Sequence, residues 1–327
     1  MPIADYQFEL PDELIAQSPA QPRDSARLLV YDRADKTIND AVFRDLPKFL
    51  HPQTTLVRNQ AKVDKARLMF GKLEIFILEA FNDKTVKAMV RPGKKFKLDA
   101  KVELLPSLSV RVIAVDDEGF RNLEFSKPLD DPVFKPHQMT PLPPYIAQDE
   151  SLADEYQTVY ARDPGSKAAP TAGLHFTEEL LKTIEDRWPV VDVTLDVGLG
   201  TFAPISDDDV HAKRLHHETY SISAKAAQAL NLAEHITAVG TTSARLLESA
   251  YTGAFEQIKD ASTDIFIQPG DELRAVNSII TNFHLPSTSL LMLIAAFTGK
   301  EELMRIYAHA IDQKYRFYSF GDAMLVL

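Results

Sequence analysis

The sequence predicts an α/β protein: a layered α/β domain interrupted by a small all-β segment. Three observations predict it. Beyond Glu150, helical and strand patterns alternate; between about Lys65 and Pro136, short β-rich runs follow one another closely; and the residues ahead of that segment carry further strand patterns. Alternation of helix and strand is the pattern of helices packed on a sheet. Short strands at close, even spacing make a small barrel or sandwich.

In chain order, Ala26–Tyr31 and Thr55–Arg58 read as strands that join the main sheet. The β-rich segment follows with Leu73–Leu78, Thr85–Val90, Lys101–Leu105, Val110–Val115 and Asn122–Phe125, separated by the turn-like pairs Asn82-Asp83, Pro92-Gly93, Asp116-Asp117 and Glu118-Gly119. Pro141-Leu-Pro-Pro144 marks a rigid, extended exit. Helices are then expected over Ser151–Val159, Glu178–Arg187, Ala224–Ala233, Ala244–Ala250 and Glu301–Lys314, with strands at Val190–Val197, Ile236–Val239 and Asp264–Ile267.

A chain of 327 residues with 45% hydrophobic content can bury a large core and has room for two domains. It contains no cysteine, so disulfides, thiolate nucleophiles and cysteine zinc sites are excluded. The first residues lack a basic and apolar leader, and Leu290–Phe297 is too short an apolar run to span a bilayer. A cytoplasmic protein without membrane contact is expected. The net charge of −11 argues against general nucleic-acid affinity, although Lys62, Lys65 and Arg67, and Arg91, Lys94, Lys95 and Lys97, form local basic clusters. From charge alone each reads first as a solvated surface face, while a confined basic patch can still bind one RNA element.

Pro170-Thr-Ala-Gly-Leu-His-Phe-Thr177 is the most informative stretch. Thr177 followed by Glu178 and Glu179 reads as a capped helix start. Gly173 permits a close backbone approach, and His175 is held just upstream of the helix, among Thr171 and other polar groups. Ile236–Glu248 reads strand, glycine, hydroxyl-rich cap, helix; Thr241, Thr242 and Ser243 with free N–H groups make an anion site to which Arg245 can add a bidentate contact. Simple helix capping explains the same residues.

Gly198-Leu-Gly200-Thr201 imitates a dinucleotide-binding turn after a strand, but Pro204 breaks the helix that such a turn requires. These glycines fit a backbone approach to a ligand or a tight structural loop. His211, His216, His217 and Glu218 match no zinc spacing, the adjacent imidazoles diverging on a helix, and no metal is expected. His284, in Asn282-Phe-His-Leu-Pro286, sits in a loop stiffened by proline. Arg23, Asp24 and Arg27 form a compact charged set entering a strand, where ion pairing is the ordinary role. Tyr315–Asp322 is aromatic and core-like, with Asp322 its chief polar contributor.

These segments stand in order with Tyr156–Arg162, Phe8–Gln17 and Pro22–Leu29, and together they resemble the S-adenosylmethionine:tRNA ribosyltransferase-isomerase family of the queuosine pathway, from about Ala4 to Leu325. The resemblance implies an α/β catalytic domain over residues 1–64 and 147–327 and an inserted β-barrel over 65–146. It implies transfer and isomerisation of the ribosyl part of S-adenosylmethionine onto 7-aminomethyl-7-deazaguanine at the wobble position of a tRNA anticodon stem-loop. Adenine and methionine are released, and epoxyqueuosine-tRNA is the product. S-adenosylmethionine is then a cosubstrate, no cofactor is permanently bound, and the protein is expected to act as a monomer. His175 is the expected principal acid or base, with His284 in reserve and Asp322 also among the expected catalytic residues. Arg23, Asp24, Arg27, Asn59, Thr171, Gly173, Gly198, Gly200, Thr201, Thr241, Thr242, Ser243, Arg245 and Asn282 are the expected binding residues.

The chain departs from the family pattern at Asn59-Gln-Ala-Lys62, at Asp64-Lys65, in the shortened turn Phe70-Gly71-Lys72, at Asp196 where a histidine is common, and at Ser262 in place of a tryptophan. Asp196 and the Asn59 region leave an alternative open: a relative that binds tRNA or S-adenosylmethionine without turnover.

Overall fold

Alternate residues of the main-sheet strands, including two over 278–282 and 323–326 that the sequence pattern does not announce, enter two different hydrophobic clusters. Leu28, Val30, Leu56, Ile280 and Leu325 belong to one, whereas Leu29, Tyr31, Val57, Ile279 and Met324 belong to the other. Both faces of the sheet are therefore buried, as expected for strands of nearly continuous apolar sequence. The computed structural model describes residues 3–143, 145–146, 150–198, 210 and 212–327. It divides into two compact units: Met1–Lys62, Pro144–Ala147 and Asp154–Leu327, and Val63–Pro143 with Gln148–Ala153.

The strands are β1 Arg27–Asp32, β2 Thr37–Val42, β3 Thr54–Asn59, β4 Ala61–Val63, β5 Arg67–Phe70, β6 Leu73–Ala80, β7 Thr85–Arg91, β8 Lys101–Leu105, β9 Leu108–Val115, β10 Arg121–Phe125, β11 Gln138–Met139, β12 Asp163–Ser166, β13 Val190–Leu195, β14 Arg214–Ile222, β15 His235–Val239, β16 Ile258–Ile265, β17 Ser278–Asn282 and β18 Ala323–Val326. The α-helices among the described residues are α1 Glu178–Glu185, α2 Ala224–Asn231, α3 Thr241–Ala250, α4 Ser289–Thr298 and α5 Lys300–Asp312.

In the first unit a nine-stranded sheet runs β16-β14-β13-β3-β15-β17-β18-β1-β2. Its centre, β13-β3-β15-β17, is parallel. Antiparallel β14 and β16 extend one side, and β18 pairs antiparallel with β17 on the other. Every residue of β3, β17 and β18 is buried. Helix α1 packs Leu180, Leu181 and Ile184 into one cluster, and α2 to α5 pack into the other. The carboxyl ends of β15 and β17 lie side by side, and ligand sites of parallel sheets form outside such ends.

The second unit is a seven-stranded antiparallel sheet, β11-β5-β6-β7-β10-β9-β8, curled around Leu68, Ile75, Val86, Phe96, Val112, Leu123 and Phe134. Register shifts at Ile77/Glu79 and Asn122/Leu123 bend its strands. Among the described residues its two edge strands, β8 and β11, do not pair with one another, so the sheet is a half-barrel.

Two expected elements differ. The helix over Ser151–Val159 is absent beyond a short 3-10 turn at Glu150–Leu152. The Arg23 guanidinium takes the carbonyl oxygens of Asp154, Glu155 and Gln157, which a helix would need. His216 and His217 lie on β14, not on a helix, and point away from one another by strand alternation.

Candidate active site

A cleft of about 930 Å³, mouth included, opens in the first unit outside the carboxyl ends of β15 and β17. Its walls are Thr171 and its neighbours, the first turn of α3, the segment after β17, the start of α4, and Tyr318 with Ser319. The local sequence explains each approach. Gly240 takes φ +89° between β15 and α3, a conformation that excludes most side chains. Pro170 introduces the 3-10 turn Thr171–His175, and Thr177 Oγ1 accepts from Leu180 N at 3.2 Å to start α1.

Asn282, at the end of β17, organises the centre. Its Nδ2 shares its two hydrogens among Tyr318 O at 3.1 Å, Ser319 O at 3.4 Å and His175 Nε2 at 3.3 Å. Since an amide nitrogen only donates, His175 Nε2 is the acceptor and its proton resides on Nδ1. His175 is 4% exposed, tilted against Phe43 with ring centroids 5.0 Å apart, and stands behind Asn282 instead of on the cleft wall. Burial pushes its pKa down to about 4; the Asp322 carboxylate opposes this, and Arg316 and Arg23 add to it.

His284 does reach the wall. Its Nε2 lies 2.9 Å from Thr281 Oγ1, and its backbone N–H donates to Tyr307 Oη at 2.9 Å. Burial pushes its pKa down to about 3, so both imidazoles are neutral at neutral pH.

An acid titration tests this burial. An unfolded histidine titrates near 6.5, whereas folded His175 titrates near 4, so between those values the unfolded chain binds the extra proton. The stability tied to His175 is complete above about pH 6.5 and falls by about 1.4 kcal/mol per pH unit as the pH drops toward 4. Urea midpoints are expected to fall between about pH 7 and pH 5, and to fall less in His175→Gln. Parallel slopes for the two proteins would remove His175 as the cause.

The other expected residues separate into those at the cleft and those that build its frame. Thr171, Thr241 and Thr242 line it with Asn282. Ser243 turns away, its Oγ donating to Val239 O at 2.8 Å. Arg245 is buried off the cleft wall, its Nη1 paired with Glu218 and its Nε donating to Ile265 O at 3.4 Å. Asp322 is 2% exposed and accepts from Arg27 N at 2.9 Å, Arg316 N at 2.8 Å and Arg316 Nη2 at 3.3 Å, which fixes the loop bearing Tyr318.

Asn59 bridges β3 to β13: Oδ1 accepts from Leu195 N at 3.0 Å and Nδ2 donates to Leu195 O at 2.9 Å. Arg23 pairs with Glu155 at 3.0 Å, Asp24 with Arg44 at 3.3 Å, and Arg27 with Asp40 at 3.6 Å while stacking on Tyr315. Gly173 is closely packed against Tyr160, and Gly198 borders Val197 of the cleft wall without lining it. Gly200 and Thr201 lie outside the described residues, as does His211. Among the described residues no group of three or more His, Asp or Glu side chains is placed to hold a metal ion.

Sequence reasoning missed Tyr318, Ser287, Thr288 and Ser289, all on the wall. Tyr318 at φ +75° and Ser287 at φ +56° hold backbone conformations uncommon outside glycine, and such strain gathers at ligand sites. The readable signal was the hydroxyl run Ser287-Thr-Ser289 ahead of an apolar helix.

The comparisons agree with this frame. A family model described as "Queuosine biosynthesis protein" matches residues 3–326. The S-adenosylmethionine:tRNA ribosyltransferase-isomerase of Thermosipho africanus is 43% identical over 336 residues, covering 100% of both chains. That of Desulforamulus reducens is 41% identical over 344 residues, again covering 100% of both. A crystal structure of S-adenosylmethionine tRNA ribosyltransferase from Thermotoga maritima is 34% identical, with a TM-score of 0.57 over 99% of this chain and 100% of that one. With a match of this length and identity, the chain belongs to the queuosine biosynthesis family of S-adenosylmethionine:tRNA ribosyltransferase-isomerases.

Proposed function

We infer that the chain is an S-adenosylmethionine:tRNA ribosyltransferase-isomerase. It transfers the ribosyl part of S-adenosylmethionine to 7-aminomethyl-7-deazaguanine at the wobble position of tRNA, isomerising it to the epoxycyclopentane of epoxyqueuosine and releasing adenine and methionine. The observation that carries this reading is end-to-end identity of about 40% to enzymes of that name, and the neutral-walled cleft supplies a site of suitable chemistry.

The reaction needs a base for the acidic proton beside the sulfonium carbon, a group that assists adenine departure, and deprotonation of the attacking aminomethyl group. His284 is the imidazole on the wall and is unprotonated at neutral pH, so we assign it the proton-accepting role. His175 acts through Asn282, and Asp322 acts by fixing the Tyr318 loop. S-adenosylmethionine is consumed as a cosubstrate, and this reading requires no permanently bound cofactor.

We further read the first unit as a layered α/β catalytic domain over 1–64 and 147–327, and the half-barrel as a β-barrel insert over 65–146, in a monomeric cytoplasmic protein. Exposed Arg91, Lys94, Lys95 and Lys97 on the insert suit the anticodon stem-loop backbone. Replacing the three lysines with alanine is expected to weaken stem-loop binding and to flatten its salt dependence by up to about three phosphate contacts. An unchanged affinity and slope would take the cluster out of the interface.

The reaction is tested by incubating the protein with S-adenosylmethionine and a stem-loop carrying 7-aminomethyl-7-deazaguanine, and weighing the RNA. A gain of the cyclopentane unit with joint release of adenine and methionine is the expected result. No gain overturns turnover. Asp196 is the observation that favours the second reading, binding without turnover: its carboxylate fills the place a Gly165 side chain would take, beside the strand end where the family usually has histidine. Cosubstrate binding with no gain in mass would establish that reading.

A further inference from the structure

The cleft has an unusual electrical character. Among the described residues that line it there is no Lys, Arg, Asp or Glu. Two helix N-termini open onto it instead. Gly240, Thr241 and Thr242 begin α3, and Thr288, Ser289 and Leu290 begin α4. Neither end is capped by a side chain: Gly240 has none, and Thr288 Oγ1 donates to Leu285 O at 2.9 Å. First-turn N–H groups without caps carry partial positive charge and favour an anionic ligand group.

A second, independent feature asks for the opposite. Asn282 is 2% exposed, and its Nδ2 is committed to the Tyr318 and Ser319 carbonyls, which can only accept. The amide orientation is thereby fixed, and Oδ1 is left as an acceptor on the cleft. Neither Asn282 Oδ1 nor Thr242 Oγ1 has a hydrogen-bond partner in the protein. A buried carbonyl oxygen without a donor is unfavourable, so this site is completed by a ligand that donates. A phosphate would satisfy the helix ends but would set oxygen against Asn282 Oδ1. A simple cation would satisfy the amide but face two positive helix ends.

A group with ammonium and carboxylate on one carbon satisfies both. We propose that this part of the cleft is an α-amino-acid subsite, in which the carboxylate accepts from the first-turn N–H groups of α3 and α4 while the ammonium donates to Asn282 Oδ1 and Thr242 Oγ1. Resting on the function proposed above, the subsite takes the methionyl end of S-adenosylmethionine. Arg245, the cation nearest in sequence, is not on the cleft wall, and its Nη1 and Nε go to Glu218 and Ile265 O.

Calorimetric titration of the full chain with S-adenosylmethionine, its decarboxylated form, 5′-methylthioadenosine and L-methionine tests the assignment. Decarboxylated S-adenosylmethionine is expected to bind at least about tenfold more weakly than S-adenosylmethionine, the scale of a charged hydrogen-bonded group. Thr242→Val removes an unpartnered hydroxyl at constant size, so folding is preserved. It is expected to weaken S-adenosylmethionine about tenfold and 5′-methylthioadenosine less than about twofold. Equal affinity for the two forms of S-adenosylmethionine, or equal weakening of both ligands by Thr242→Val, overturns the subsite. L-methionine binding more tightly than S-adenosylmethionine would assign the subsite to the free amino acid and overturn its assignment to the cosubstrate. No measurable binding of S-adenosylmethionine by the unaltered protein overturns the cosubstrate reading itself, and the subsite with it.

Discussion

His284→Ala is expected to lower kcat for ribosyl transfer by about 10²- to 10⁴-fold, the usual weight of a positioned acid or base, with little change in KM for S-adenosylmethionine. The expectation follows from placement. His284 is on the cleft wall, neutral, and tied by Nε2 to Thr281. His175 is equally neutral but stands behind Asn282. His175→Ala therefore removes a positioning residue, and a smaller loss in kcat is expected, because the Tyr318 and Ser319 carbonyls still hold the Asn282 amide. The acid limb of the pH–kcat profile separates the roles further. A base whose pKa is depressed to about 3 leaves activity unchanged through the ordinary histidine range near 6.5. A profile falling at about 6.5, or a fully active His284→Ala, would sink the assignment; if His175→Ala is the one inactivated at unchanged stability, the chemistry belongs to His175.

The sequence made some of this geometry legible and hid the rest for identifiable reasons. Thr171, Thr241, Thr242, Asn282 and His284 all follow a strand or precede a helix, and a parallel sheet gathers such junctions at one edge. Local chemistry alone left each open to helix capping or a structural role, and the family resemblance was what named them as expected site residues. Arg245 shows the limit. Its hydroxyl-rich neighbourhood reads as an anion site, but its partner Glu218 lies on β14, a strand between β13 and β16 whose run of Arg, His and Glu hides the strand pattern. Asn59 likewise bonds Leu195, which is 136 residues away, so its side chain reads as available until β3 and β13 are paired. Tyr318 looks like core because aromatic composition says nothing of a positive φ. The curled sheet was legible as closely spaced strands, whereas its edges are settled by the pairing order.

Gly173→Ala is expected to produce the largest loss of stability of any single methyl addition at the site, about 3 kcal/mol or more by overpacking. A Cβ at Gly173 would stand 1.9 Å from Tyr160 Oη and 2.8 Å from Thr158 Cγ2. Tyr160 has nowhere to retreat. It is 5% exposed, packs edge-on to Phe176, and lies beneath the Arg58 guanidinium at 4.5 Å. Arg58 is held in turn by Asp192 at 2.6 Å and Glu185 at 3.1 Å. The new methyl must therefore displace either this stack or the turn that carries Thr171 and His175, so activity is expected to fall with stability. Tyr160 Oη has no hydrogen-bond partner, which makes the cause separable. Tyr160→Phe alone is expected to cost little, and in the double variant it is expected to restore more than half of what Gly173→Ala loses, a coupling that urea unfolding of the four proteins measures. Additive losses would place the strain in the backbone turn. An unchanged Gly173→Ala midpoint with weakened S-adenosylmethionine binding would show that the glycine serves ligand approach, the role its sequence position first suggests.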